Sequence, residues 1–151
     1  MEKSRKSGKV IQEKLLATMQ TWQKVEDASV ASTGRVIEKT ENPIVRLVME
    51  IIQRDSQMHH RVQGMIVDSL TSTVVSLSPE ELGEVWGMIE DHIKLEKKTI
   101  ELAQAALDSI KNSKGMLVQA YLLEYLTQDE EKHNSLLEKL NSIQKGMYPY
   151  G

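Results

Sequence analysis

Four runs of apolar residues, each spaced by threes and fours, constrain this chain more than any other feature. Ile11, Leu15, Met19 and Trp22 form the first run, continued by Ser29, Thr33 and Val36. Val45, Val48, Ile52, Val62, Ile66 and Leu70 form the second, and Leu82, Trp86, Ile89, Ile93, Ile100, Ala103, Leu107 and Ile110 the third. Val118, Leu122, Leu126, Leu137, Leu140 and Ile143 form the fourth. Residues at these intervals share one face of an α-helix, so each run predicts an amphipathic helix with a single apolar stripe. The runs are separated at Thr40-Glu41-Asn42-Pro43, Ser76-Leu77-Ser78-Pro79 and Lys111-Asn112-Ser113-Lys114-Gly115. Asn42 and Ser78 are capping residues that each precede a proline at the first helical position. Glu81 follows Ser78 at the spacing of a capping box.

The predicted helices span roughly 9–39, 43–74, 79–111 and 115–145. The residues from Gly146 to Gly151 are expected to leave the last helix as an extended tail. Helices of this length bury their stripes only against one another, which predicts an all-α four-helix bundle forming a single domain over residues 1–151. Gly34, Gly64, Gly83 and Gly87 fall inside the helices and weaken them slightly. The few residues before Pro79 favour antiparallel neighbours for the second and third helices.

Composition narrows the chemistry. The chain has no cysteine, so thiolate metal sites, iron–sulfur clusters and cysteine nucleophiles are excluded, and any metal must be held by nitrogen and oxygen. The formal charge of −3 is spread without long blocks, which is not the footprint of a nucleic-acid binder. No segment approaches the apolar length of a membrane span, and the basic Met1–Lys9 stretch runs into Ile11-Gln12-Glu13-Lys14, unlike a secretory leader. A cytoplasmic location is expected. With no Phe and eight Met, the core is expected to be built from Leu, Ile, Val, Met and Ala.

The interruptions of the stripes carry the functional information. Glu26 continues the first stripe four residues past Trp22. Asp55 and His59 lie between Ile52 and Val62. Glu96 lies between Ile93 and Ile100, with His92 one turn earlier, and Glu130 and His133 lie between Leu126 and Leu137. All four helices break their seams with metal-ligand residue types. Glu26 and His59 have their midpoint at the Asn42-Pro43 break, and Glu96 and His133 have theirs at Lys114-Gly115. Each hairpin therefore brings its polar residues to one level. Carboxylates gathered in a bundle core repel and pay for desolvation; a divalent cation removes both costs. Carboxylate and imidazole together suit iron, manganese and zinc. Asp55 and Asp129 are further candidates for holding a ligand imidazole by hydrogen bond. His60 points away from His59 and is expected to be exposed, while Trp22 and Tyr125 read as packing residues.

The run Tyr125-Leu126-Thr127-Gln128-Asp129-Glu130-Glu131-Lys132-His133 resembles the late helix of the ferritin-like superfamily. More narrowly, it is similar to rubrerythrin-type di-iron carboxylate proteins that lack the rubredoxin module. The resemblance implies one Glu each from the first and third helices, matched by Glu26 and Glu96, and a Glu-x-x-His pair from the second and fourth. Glu130 and His133 match one such pair. Arg54-Asp55-Ser56-Gln57-Met58-His59 aligns with the same segment, but Ser56 stands where the Glu is expected. The family chemistry would be oxygen- or peroxide-dependent oxidoreduction at iron, di-iron or mononuclear, with manganese or zinc as other occupants. The residues also leave open a metal-binding or storage protein without turnover, a metal-free structural bundle, and a homodimer. A zinc hydrolase would lack a distinct general base.

Overall fold

The computed structural model describes residues 2–148, with side chains described from Ser7 onward. It is all-α. Four helices make up the chain: α1 (Glu2–Lys39), α2 (Pro43–Thr71), α3 (Pro79–Ile110) and α4 (Leu117–Met147), with no strand among the described residues. This is the four-helix class that the periodicity predicts. Two compact units result, one up to Val75 and one from Ser76 onward. Within unit 1, α1 packs on α2, and within unit 2, α3 packs on α4.

The stops and starts follow local chemistry. Asn42 caps α2, its side-chain oxygen accepting from the backbone N–H of Ile44 at 3.0 Å and of Val45 at 3.1 Å. Ser78 and Glu81 form the reciprocal capping box, with Ser78 N–H donating to Glu81 Oε2 at 2.8 Å and Glu81 N–H donating to Ser78 Oγ at 3.1 Å. The Ser78 backbone bond, followed by the contact with its hydroxyl, holds Glu81 below its ordinary value of 4.5. A carboxylate lowered in the folded state contributes stability that is full above its unfolded value. That contribution is lost as pH falls through the folded one. Ser78→Ala is expected to lower the unfolding free energy by about 1 kcal/mol at neutral pH, measured by denaturant titration followed by circular dichroism.

Three boundaries differ from the sequence expectation. α1 begins at Glu2 rather than near residue 9, because Glu, Lys and Arg in that segment are good helix formers and offset its single glycine. α2 ends at Thr71, with Ser72 N–H closing on Asp68 O, so the stripe through Val74 outruns the helix. α4 continues through Gly146 and Met147. Glycine in a last turn costs only about 1 kcal/mol, and Tyr148 N–H still bonds Gln144 O at 3.0 Å. The rest of the expected extended tail, from Pro149 on, lies outside the described residues.

Two glycines permit cross-helix bonds in unit 1. Gln53 Nε2 donates to Val30 O, and Gln23 Nε2 donates to His60 O, both at 3.2 Å. Each carbonyl lies four residues before a glycine, Gly34 and Gly64. A Cβ there would stand 3.4 and 3.3 Å from the incoming amide nitrogen. The missing side chain leaves room for the glutamine to reach the helix backbone.

Among the described residues, unit 1 buries mainly polar side chains, Glu26, Thr33, Ser56 and Gln63 beside Met19, whereas unit 2 buries Glu96 with Leu82 and Ala103. Trp22 is 49 % exposed, and of the described methionines only Met19 is buried, so neither reads as core filler within its own hairpin. Taken by itself, a two-helix hairpin buries only its inner seam, and much of each apolar stripe lies outside that seam. No helix among the described residues is long and apolar enough to cross a membrane.

Candidate metal centre in the second hairpin

Glu96 sits mid-way along α3 and faces α4, where Glu130 and His133 occupy consecutive turns of one face. One donor atom from each of these three residues lies within 4.8 Å of the other two. His133 Nδ1 is 3.6 Å from Glu96 Oε2 and 3.7 Å from Glu130 Oε2. On its other side, His133 Nε2 is 3.3 Å from Asp129 Oδ2. With its proton on Nε2, toward Asp129, the imidazole would present the Nδ1 lone pair to the two carboxylates, the arrangement that metal-ligating histidines use. Asp129 in turn is paired with Lys132.

Two further groups complete the surroundings. His92, one turn before Glu96, places Nε2 2.8 Å from Glu96 Oε1. Thr99 donates its hydroxyl to the Glu96 backbone carbonyl at 2.7 Å and lies 3.1 Å from Glu130 Oε2. Thr99 was not singled out by the periodicity, although it follows Glu96 at helical spacing and breaks the apolar pattern.

The electrostatics are those of two carboxylates facing one another. The Glu130 carboxyl facing it, then the hydrogen bond with His92 and the charge of His133, hold Glu96 below the usual carboxylate range despite its burial. Glu130 is pushed up, first by the facing Glu96 and then by burial. Of the two, Glu130 therefore holds a proton more readily than an ordinary carboxylate and Glu96 less readily. Glu96 Oε2 is buried with no hydrogen-bond partner. A nine-tenths-buried carboxylate with an orphaned oxygen, aimed at a second carboxylate and an imidazole, fits a divalent cation.

Unit 1 repeats this geometry with substitutions. Within each helix, Glu26 and Ser29 keep the spacing of Glu96 and Thr99, and Asp55, Ser56 and His59 keep that of Asp129, Glu130 and His133, with four fewer residues between the two sets in unit 1. Glu26 Oε1 is 3.3 Å from His59 Nδ1, the counterpart of the Glu96–His133 approach. Ser29 and Ser56 share a hydrogen bond of 2.8 Å where unit 2 has Thr99 and Glu130. Gln63, unremarked in the sequence pattern although it lies four residues past His59, donates to Glu26 Oε1 at 3.4 Å. Trp22 takes the place of His92. The first hairpin therefore pairs one carboxylate with one imidazole and stops there.

No family model matches this chain, and neither the curated proteins nor the solved structures yield a match. The site must be read from its own geometry.

Of the residues expected to ligate, the structure brings Glu96, Glu130 and His133 into one group, with His92 on the same carboxylate. Glu26 and His59 form a separate pair in unit 1. Asp55 is half-buried one turn before His59 and belongs to no group of three donors among the described residues. His60 is not simply solvated: its Nε2 lies 3.6 Å from Asp27.

Proposed function

We propose that this protein binds a divalent transition metal through Glu96, Glu130 and His133, in keeping with its resemblance to rubrerythrin-type ferritin-like proteins. The observation that carries this reading is the buried, unpartnered Glu96 Oε2 within reach of a second carboxylate and an imidazole. Glu96 and Glu130 would supply oxygen donors and His133 a nitrogen, a set that suits iron or manganese and also admits zinc. Asp129 orients the imidazole, and Thr99 fixes the Glu130 carboxylate. His92 holds the far oxygen of Glu96, directing the other toward the metal. A bound iron or manganese would add redox capacity. The donor set supports binding, and oxidoreductase activity is the further proposal that the family resemblance adds.

Elemental analysis of the purified chain, with thermal unfolding in ferrous and manganous salts, tests the reading. Bound metal and a raised unfolding temperature are expected. His133→Ala is expected to remove most of the bound metal, whereas His60→Ala, altered outside the group, leaves it unchanged. Equal losses in the two variants would place the metal elsewhere.

A further inference from the structure

We infer that the face of unit 2 carrying Glu96, Glu130 and His133 is closed by the same face of a second copy of this chain, so that the metal centre is built across a two-fold interface. The inference rests on the metal reading above.

The donor count points to a second copy. Two carboxylates and one imidazole approach the candidate position from one hairpin only, and leave much of the coordination sphere of iron or manganese unfilled. A two-fold partner doubles the set to a Glu from each α3 and a Glu-x-x-His from each α4. That is the complement with which helical bundles hold two adjacent ions. Unit 1 lacks the matching half. Ser56 stands where the second carboxylate is needed and is tied to Ser29, while Glu26 Oε1 is already engaged by Gln63 and His59.

The surface beside the site fits the same occupant. A groove lined by Thr99, Leu102, Ala103, Leu123 and Leu126 runs up to Glu130. Leu102 is 58 % and Leu126 46 % exposed, flanking the small Ala103 and Ala106 that permit a close helix approach. In a two-fold interface the same patch must complement itself, and a groove edged by leucines over alanines does so. Charge sets the condition for closure. Two copies of the site bring together four carboxylates and two imidazoles, which repel until divalent cations lie between them. The metal-free chain is therefore expected to stay apart and the loaded chain to pair.

Sedimentation velocity and calorimetric titration of the full chain with manganous chloride test this. The mass is expected to double on loading, at one manganese per chain, with an electron paramagnetic resonance spectrum of two coupled ions. Leu126→Arg keeps every donor but is expected to leave the chain monomeric and weaken manganese binding by about tenfold or more. Val62→Arg, the same change on an exposed position of unit 1, is expected to alter neither. Should Leu126→Arg disturb folding, the wild type still decides, because its apparent affinity must rise with chain concentration. Manganese bound tightly by a monomer, or pairing broken by Val62→Arg and not by Leu126→Arg, would overturn the inference and leave the unit 2 site standing. No manganese bound in any assembly state would overturn both.

Discussion

Glu96→Ala is expected to weaken metal binding by at least about 100-fold while changing the stability of the metal-free chain little. Glu96 is the hub of the cluster: its two oxygens meet His92 and His133, and its carboxylate faces Glu130. Removing an orienting partner of a metal ligand costs about 10- to 100-fold in affinity, and removing the buried ligand itself costs more. The metal-free balance differs. The side chains of His92 and His133 are 56 % and 40 % exposed, so water screens their pairing with Glu96, and the loss there is held to about 1 kcal/mol or less. Deleting one of two facing carboxylates also removes a repulsion. Glu96→Gln keeps the shape, loses the charge, and is expected to behave the same way. Isothermal titration with manganous ions, set beside denaturant unfolding in chelator, separates the two roles. A large loss of metal-free stability with unchanged metal affinity would make Glu96 a structural ion-pair residue and sink the ligand assignment.

Why this cluster was visible in the sequence, and why its completeness was not, comes down to what helical spacing encodes. Period and caps locate α2 and α3 because Asn42-Pro43 and Ser78-Pro79-Glu80-Glu81 satisfy the orphaned N–H groups of a first turn by local chemistry alone. The start of α1 and the last turn of α4 carry no such punctuation, and there the backbone continued past the apolar pattern. Spacing also places Glu130 with His133, and Glu96 level with His133 across a hairpin, since both follow from residue number and rise per residue. It does not say what covers the exposed side of a stripe. Trp22 reads as a packing residue from its spacing, yet it is half exposed on its hairpin. Nor does it reveal lateral reach. Asp55 shares a stripe with His59, yet belongs to no three-donor group among the described residues, whereas Thr99 and Gln63, which carry no ligand signature in the sequence, bond the carboxylates. The Glu-to-Ser difference at position 56 was legible at once; that the serine hydroxyl would be tied to Ser29 needed the fold.

That difference supplies the second large prediction. Ser56→Glu is expected to give unit 1 a metal site of its own and raise the capacity of the chain from one ion to two. Several other elements are already there. Glu26 and His59 approach as Glu96 and His133 do, Ser29 stands beside Ser56 as Thr99 stands beside Glu130, and Asp55 occupies the sequence position that corresponds to Asp129. Ser56 is only 4 % exposed, so the larger side chain must displace neighbours, a strain of about 1–3 kcal/mol. Facing Glu26 across the hairpin, the new carboxylate adds repulsion as well. The variant should accordingly be less stable than wild type in chelator and should regain that stability in manganous chloride, because metal binding to the folded state offsets both terms. Ser56→Ala, which removes the bond to Ser29 but adds no donor, is expected to leave the capacity at one. Calorimetric stoichiometry with manganese reads the result. A Ser56→Glu chain that folds, binds one ion and shows no metal-dependent recovery beyond wild type would mean that the missing carboxylate is not what keeps the first hairpin from holding metal. The remaining differences of that hairpin, Trp22 in place of His92 and Gln63 already engaging Glu26, would then be the cause.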